Sequence, residues 1–226
     1  MTSLQLEALN FLPQQRDTNV SPIQLCPVAL FIGIIKVNHL RMQAIRPDAA
    51  DTEALQKEGY ELLEHINSFS PHKLAELKPS CQDDWTLVGQ VYQAAVALYC
   101  ILSLQSLSIL PETPALRIQC ATHGRIMQVL LKETLASKKL KRFMIWPLVI
   151  LGVEAVHGGA PMRAFVAKQL SDLSQDIGTY VPLTAKQVLE LFWASGETRW
   201  DVCFDRPYVF TGQIAVDTSG LMPFYK

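Results

Sequence analysis

Apolar positions recur at helical spacing along almost the whole chain, and strand-like alternation is scarce. Residues 1–20 read as an irregular lead-in. Ser21-Pro22 offers a cap and a first-turn proline. The apolar run Val28 to Ile35 carries that helix to about Arg46, with Pro27 in its early turns. Asp51 caps a second helix to about Asn67, striped by Leu55, Leu62, Leu63 and Ile66. Residues 69–83 hold two prolines and predict one short turn of helix. Trp85 to Pro111 contains no charge, and Val88, Val91, Tyr92, Ala95, Tyr99 and Leu102 follow helical spacing there. Asp83 or Asp84 caps this helix, and Pro111 stops it.

Thr113-Pro114 repeats the cap-plus-proline start, for a helix to about Ala136 with Leu116, Cys120, Ile126, Met127, Leu130 and Leu131 inward. The basic run Lys138, Lys139, Lys141, Arg142 reads as a solvated helix end, its charge suited to a C-terminus. Its four charges are too few and too isolated for a nucleic-acid patch. Phe143 to Val156 predicts an apolar helix interrupted by Trp146-Pro147 and ended by His157-Gly158-Gly159. Pro161 opens another, with Phe165, Val166, Leu170, Leu173 and Ile177 on one face. Thr184 with Gln187 is a capping-box signal for the last long helix, to about Glu197. From Asp201 the tail is aromatic and irregular, and Val209 to Val216 is its best strand segment. The pattern predicts an all-α array of about seven or eight helices, a single domain over 21–226.

Composition narrows the classes. Hydrophobic residues make up 49% and charged residues 18%, which excludes disorder. Twenty basic against 21 acidic residues leave no electrostatic footprint for direct nucleic-acid binding. The uncharged stretch is long enough to span a bilayer. Its glutamines and serines, with the helical spacing, favour the central helix of a bundle over a membrane span. The five cysteines (Cys26, Cys81, Cys100, Cys120, Cys203) are scattered without a CxxC pair and read as reduced, mostly buried thiols of an intracellular protein.

The strong chemical signatures are missing. There is no Gly-rich phosphate loop, no HExxH, no GxSxG and no paired-aspartate signature beyond Asp83-Asp84, which reads as a cap. The expectation is therefore no cofactor and no metal. Glu154 and His157 lie three apart and can share a helix face. They read either as an acid–base pair or as a structural helix end with Glu154 held by an arginine such as Arg163. Trp146, Phe192, Trp193, Trp200, Phe204, Tyr208 and Phe210 crowd the last third. They read either as core or as the lining of an apolar small-molecule pocket, to which Tyr92, Gln93 and Tyr99 add polar groups.

Phe143-Met144-Ile145-Trp146-Pro147-Leu148, followed by Gly152-Val153-Glu154-Ala155, resembles the WPL…G.EA segment of the fungal-specific transcription factor domain. The spacing to Arg163, Leu189 to Trp193 and Trp200-Asp201 is similar to that family too, best over about 85–210. The resemblance implies an all-helical domain that senses a small, often apolar molecule and passes the signal to transcription. It also implies that Glu154 is fold-defining and bonded to Arg163. The family's DNA contact, a six-cysteine two-zinc cluster, has no counterpart in this sequence. The chain starts at Met1 and reads as a complete small protein, so DNA binding is not carried over.

Three readings follow. The preferred one is a stand-alone cytoplasmic protein that binds an apolar small molecule and catalyses a cofactor-free cyclisation, pericyclic step or isomerisation in fungal secondary metabolism. Catalytic groups would be Glu154, Tyr92, Tyr99 and Asp201, and the substrate would sit against Trp146, Phe192, Trp193, Trp200, Gln93 and Asp205. The ground is that a detached effector domain has no evident output unless it gains a reaction or a partner. The second reading is a nuclear, ligand-sensing effector domain that homodimerises or pairs with a zinc-cluster regulator. The third is a purely structural module.

Overall fold

The computed structural model describes residues 26–46, 51–77, 79–204, 208 and 210. Helix α1 is Val28–Ile45. Pro27 stands at its cap position, before the first turn rather than inside it, and its carbonyl takes the amides of Leu30 and Phe31. A proline fits there because no amide donor is needed. The helix ends where Arg46 becomes extended (ψ 143), as the following proline requires. The predicted start at Ser21-Pro22 and the lead-in 1–20 lie outside the described residues. Helix α2, Thr52–Asn67, is capped as expected: the Asp51 side chain accepts from the Glu53 amide at 3.1 Å. Its inward stripe is Leu55, Gly59, Leu62, Leu63 and Ile66. Helix α3 is the short Pro71–Glu76, and a single 3-10 turn, Pro79–Cys81, follows.

Helix α4 is Gln82–Ser106. Among the described residues no side chain caps it; Asp83 and Asp84 instead lie in the first turn, where their charge faces the positive helix end. Every residue from Ala94 to Leu104 is buried. A helix that is apolar all round needs neighbours all round. It has them in α1, α2 and α3, in α5 (Pro114–Ala136), α6 (Ile145–Ile177) and α8 (Trp200–Cys203). By length and composition α1, α4 and α6 could each cross a membrane; 83% of the α4 segment is covered by the rest of the protein.

Helix α5 starts as predicted, with Thr113 Oγ1 accepting from the Leu116 amide at 3.3 Å. Its inward line is Leu116, Cys120, Gly124, Met127, Leu131 and Thr134. Ile126, expected inward, points out and is 44% exposed, because it sits about 100° around the helix from Met127. A 3-10 turn, Lys141–Phe143, leads into α6. Pro147 does not interrupt α6: it falls in the first turn, where an amide would have no intrahelical acceptor to lose. The break comes at Gly159 (φ 76, ψ −177), a left-handed conformation suited to glycine, so α6 is two helical stretches meeting at an angle just before Pro161.

Helix α7, Val181–Ser195, packs against the side of α6. The expected capping box is absent: Thr184 lies inside the helix and its hydroxyl donates to the Tyr180 carbonyl, while Pro182 provides the start. Helices α6 and α7 come very close at Gly152, where an added Cβ would lie 2.3 Å from Leu189 Cδ1. Of the proposed strand 209–216, Phe210 is helical and the others lie outside the described residues. The described residues thus form eight α-helices and no strand, the all-α array the pattern predicts.

Candidate functional site

Tyr92 and Tyr99, two turns apart on α4, both meet Trp146 at the start of α6. Tyr92 stacks on the indole at 6.2 Å and 11°; Tyr99 meets it edge-on at 6.0 Å and 68°. Tyr99 also touches Trp200 of α8 at 5.0 Å, and Trp200 touches Phe204 at 4.6 Å. Phe204 continues to Phe210 and Tyr208, each at 6.2 Å. The structure therefore brings Trp146, Tyr92, Tyr99 and Trp200 into one aromatic seam joining α4, α6 and α8. Such ring pairs add to the stability gained by burial.

The polar heads of this seam are already bonded within the protein. The Tyr92 hydroxyl donates to the Phe143 carbonyl at 2.9 Å. Burial raises its pKa, so it stays a neutral donor. The Tyr99 hydroxyl donates to Asn38 Oδ1 on α1. The Gln93 amide sits among the carbonyls of Ile66, Asn67 and Phe69, at 3.1, 3.0 and 2.8 Å, and ties down the end of α2. Trp193 Nε1 donates to the Gly152 carbonyl at 2.8 Å, across the close approach of α6 and α7. Phe192 is buried, and among the described residues it makes no ring contact with the seam.

Glu154 and Asp201, the two candidate carboxylates among the described residues, are likewise paired. Asp201 accepts from Arg41, which also donates to the Ser103 carbonyl at 2.5 Å, and the Asp201 amide donates to Ser106 Oγ at 3.1 Å. These bonds fasten α8 to α1 and α4. Glu154, 2% exposed, pairs with Arg117 of α5 and not with Arg163. Arg163 instead donates to the carbonyls of Ala155 and Val156 at 3.1 and 2.9 Å. The break at Gly159 frees those carbonyls, and the returning chain puts Arg163 over them. Gly124 makes room for Glu154, whose Cγ lies 3.1 Å from where a Cβ would stand. Glu154 and His157 share no hydrogen bond among the described residues; burial, then Arg117, lower the His157 pKa. Asp205 lies outside the described residues.

The sequence reading missed Arg41, Asn38 and Arg117. A signal existed: Arg41 and Asn38 are polar positions in an otherwise apolar helix, and Arg117 borders the inward line of α5. Among the described residues, no group of three or more His, Cys, Asp or Glu is placed to hold a metal ion.

Residues 2–207 match the family described as fungal specific transcription factor domain. Over 213 residues, 94% of the chain, the sequence is 52% identical to the phomenoic acid biosynthesis cluster-specific transcriptional regulator of Leptosphaeria maculans. The chain spans 41% of that relative's length. No solved structure matches. These similarities overturn the preferred reading of a cofactor-free cyclase or isomerase, and they give the cytoplasmic placing no support. The family resemblance seen in the WPL…G.EA segment holds over nearly the whole chain: this protein belongs to the fungal-specific transcription factor domain family.

Proposed function

We propose that this chain is the helical regulatory region of a transcription regulator that acts in the nucleus on a secondary-metabolite gene cluster, paired with a zinc-cluster DNA-binding module. The observation that carries this is the 52% identity, over 94% of the chain, to a cluster-specific transcriptional regulator. The site geometry supports it from the other side. Glu154, Tyr92, Tyr99 and Asp201 each hold another helix or turn in place. In this reading they set the relative positions of α1, α4, α5, α6 and α8, so that a contact made on one helix is felt by the others.

The test fuses the chain to an unrelated zinc-cluster DNA-binding module and measures a reporter carrying that module's site. Reporter transcription should change severalfold relative to the module alone. A stably expressed, DNA-bound fusion with the output of the module alone would overturn the reading.

A further inference from the structure

The basic run after α5 takes no part in the aromatic seam or in the Glu154 and Asp201 pairs. It forms the turn between α5 and α6, and the core holds that turn as a fixed shape. Leu140 and Met144 are buried at either side. The Lys141 amide donates to the Ser137 carbonyl at 3.1 Å and the Phe143 amide to the Leu140 carbonyl at 3.0 Å. The Tyr92 hydroxyl holds the Phe143 carbonyl from below. Lys141 reaches Asp176 near the far end of α6 at 2.7 Å, which clips the turn to the helix it precedes.

What projects from this frame is charge. Lys138, Lys139 and Arg142 are exposed. Among the described residues none of the three has a carboxylate within 4.0 Å; the Arg142 guanidinium lies over the Phe143 ring at 4.7 Å. The run places four cations within five residues of a chain whose formal net charge is −1, so it is a local concentration of charge and not a share of a generally basic chain. A short lysine- and arginine-rich segment on a surface is the footprint of an acidic partner, either an import carrier or nucleic acid. Three free cations neutralise too few phosphates to hold duplex DNA, since that affinity grows with each phosphate contacted. An acidic protein surface needs fewer contacts.

We propose that the turn 138–142 is the docking site for a nuclear import carrier, whose acidic surface reads Lys138, Lys139 and Arg142 while Lys141 stays clipped to Asp176. This rests on the reading that the chain works in the nucleus.

The experiment fuses the full chain to a tandem fluorescent cargo too large to diffuse through nuclear pores. The variant K138A/K139A/R142A is compared with K57A/K73A/K168A, which removes three exposed lysines elsewhere. The nuclear-to-cytoplasmic ratio should fall by about fivefold in the turn variant, the combined effect of three exposed charge pairs lost together, and stay unchanged in the control. Binding of the purified chain to purified importin-α should weaken likewise, and melting temperatures should match. Equal nuclear accumulation of the turn variant, or a wild-type chain kept out of the nucleus, would overturn the proposal. So would loss of duplex-DNA binding with importin-α binding intact. Adding an unrelated nuclear-targeting peptide to the turn variant should restore both accumulation and reporter output. A wild-type chain that enters the nucleus through the turn but leaves the reporter silent would refute the regulatory reading and leave the docking site standing.

Discussion

Replacing Arg117 with methionine isolates the Glu154 pair. Methionine keeps the length and apolar contact of the arginine stem but removes the charge. Glu154 is 2% exposed, and its Oε2 has no hydrogen-bond partner among the described residues. Stripping the arginine from a buried carboxylate costs about 3–5 kcal/mol. Arg117 is 35% exposed, so water partly replaces it, and the discounted cost is about 2–4 kcal/mol. At roughly 2–4 °C per kcal/mol for a chain of this size, Tm should drop by about 6–12 °C for a loss near 3 kcal/mol. E154L alone should cost less, because Arg117 can turn to solvent. The double variant R117M/E154L should come within about 1 kcal/mol of wild type, since an apolar pair replaces an ionic one. The cycle, followed by urea and thermal unfolding with circular dichroism, should give a coupling of about 2–3 kcal/mol. The parallel cycle with R163M should give less than about 0.5 kcal/mol, because Arg163 binds carbonyls and not Glu154. A larger coupling for Arg163 than for Arg117 would refute the reasoning. Each variant should also unfold in one transition if 21–226 is a single domain, and two separated transitions would contradict that expectation.

G152A should destabilise by about 1–2 kcal/mol: a Cβ 2.3 Å from Leu189 Cδ1 overpacks the α6–α7 contact by more than the gain in helix propensity offsets, and L189A in the same chain should recover part of it. Unfolding titrations of the two single variants and the double check this, and additive losses would contradict it. Native protein should react with one equivalent of a thiol reagent, at Cys81, and denatured protein with five, because Cys26, Cys100, Cys120 and Cys203 are buried. Burial also pushes the Cys100 thiol up to about 12 and, against the opposing pull of Arg117, Cys120 up to about 11; C81S should abolish native labelling. Burial lowers the pKa of His123, and burial with Arg117 lowers that of His157, from the ordinary 6.5. The unfolded chain therefore binds protons first, and stability should fall as pH drops below about 6.5 towards the lowered values. H123Q should flatten that fall in Tm measured from pH 7 to 5, and an unchanged slope would contradict it.

Local chemistry announced much of the fold. Asp51 and Thr113-Pro114 act as helix starts, and Gly159 before Pro161 breaks the chain, because each works on its own backbone within a few residues. Partners across helices were not legible in the same way. Arg163 is nine residues from Glu154 and Arg117 is 37, yet the break at Gly159 turns the nearer arginine away. Tyr92, Tyr99 and Gln93 could be picked out as polar heads in an apolar helix. What satisfies them, two sets of backbone carbonyls and Asn38, depends on how α1, α2 and α6 lie against α4. Aromatic clustering is compatible with core and with pocket, because both need rings near polar atoms. The preference for an enzyme rests only on these residues holding no zinc cluster, and that says nothing about chemistry. The WPL…G.EA segment carried the better information, since Gly152, Glu154 and Trp146 each make a contact that sets the packing of α6.

The central claim, that this chain regulates transcription, is tested most directly by exchange. The matching 41% of the Leptosphaeria maculans regulator would be replaced by this chain and transcripts of the phomenoic acid cluster measured. The claim predicts that the chimera sustains those transcripts well above a strain lacking the segment. Transcripts at the deletion level, from a chimera present in normal amounts in the nucleus, would contradict it.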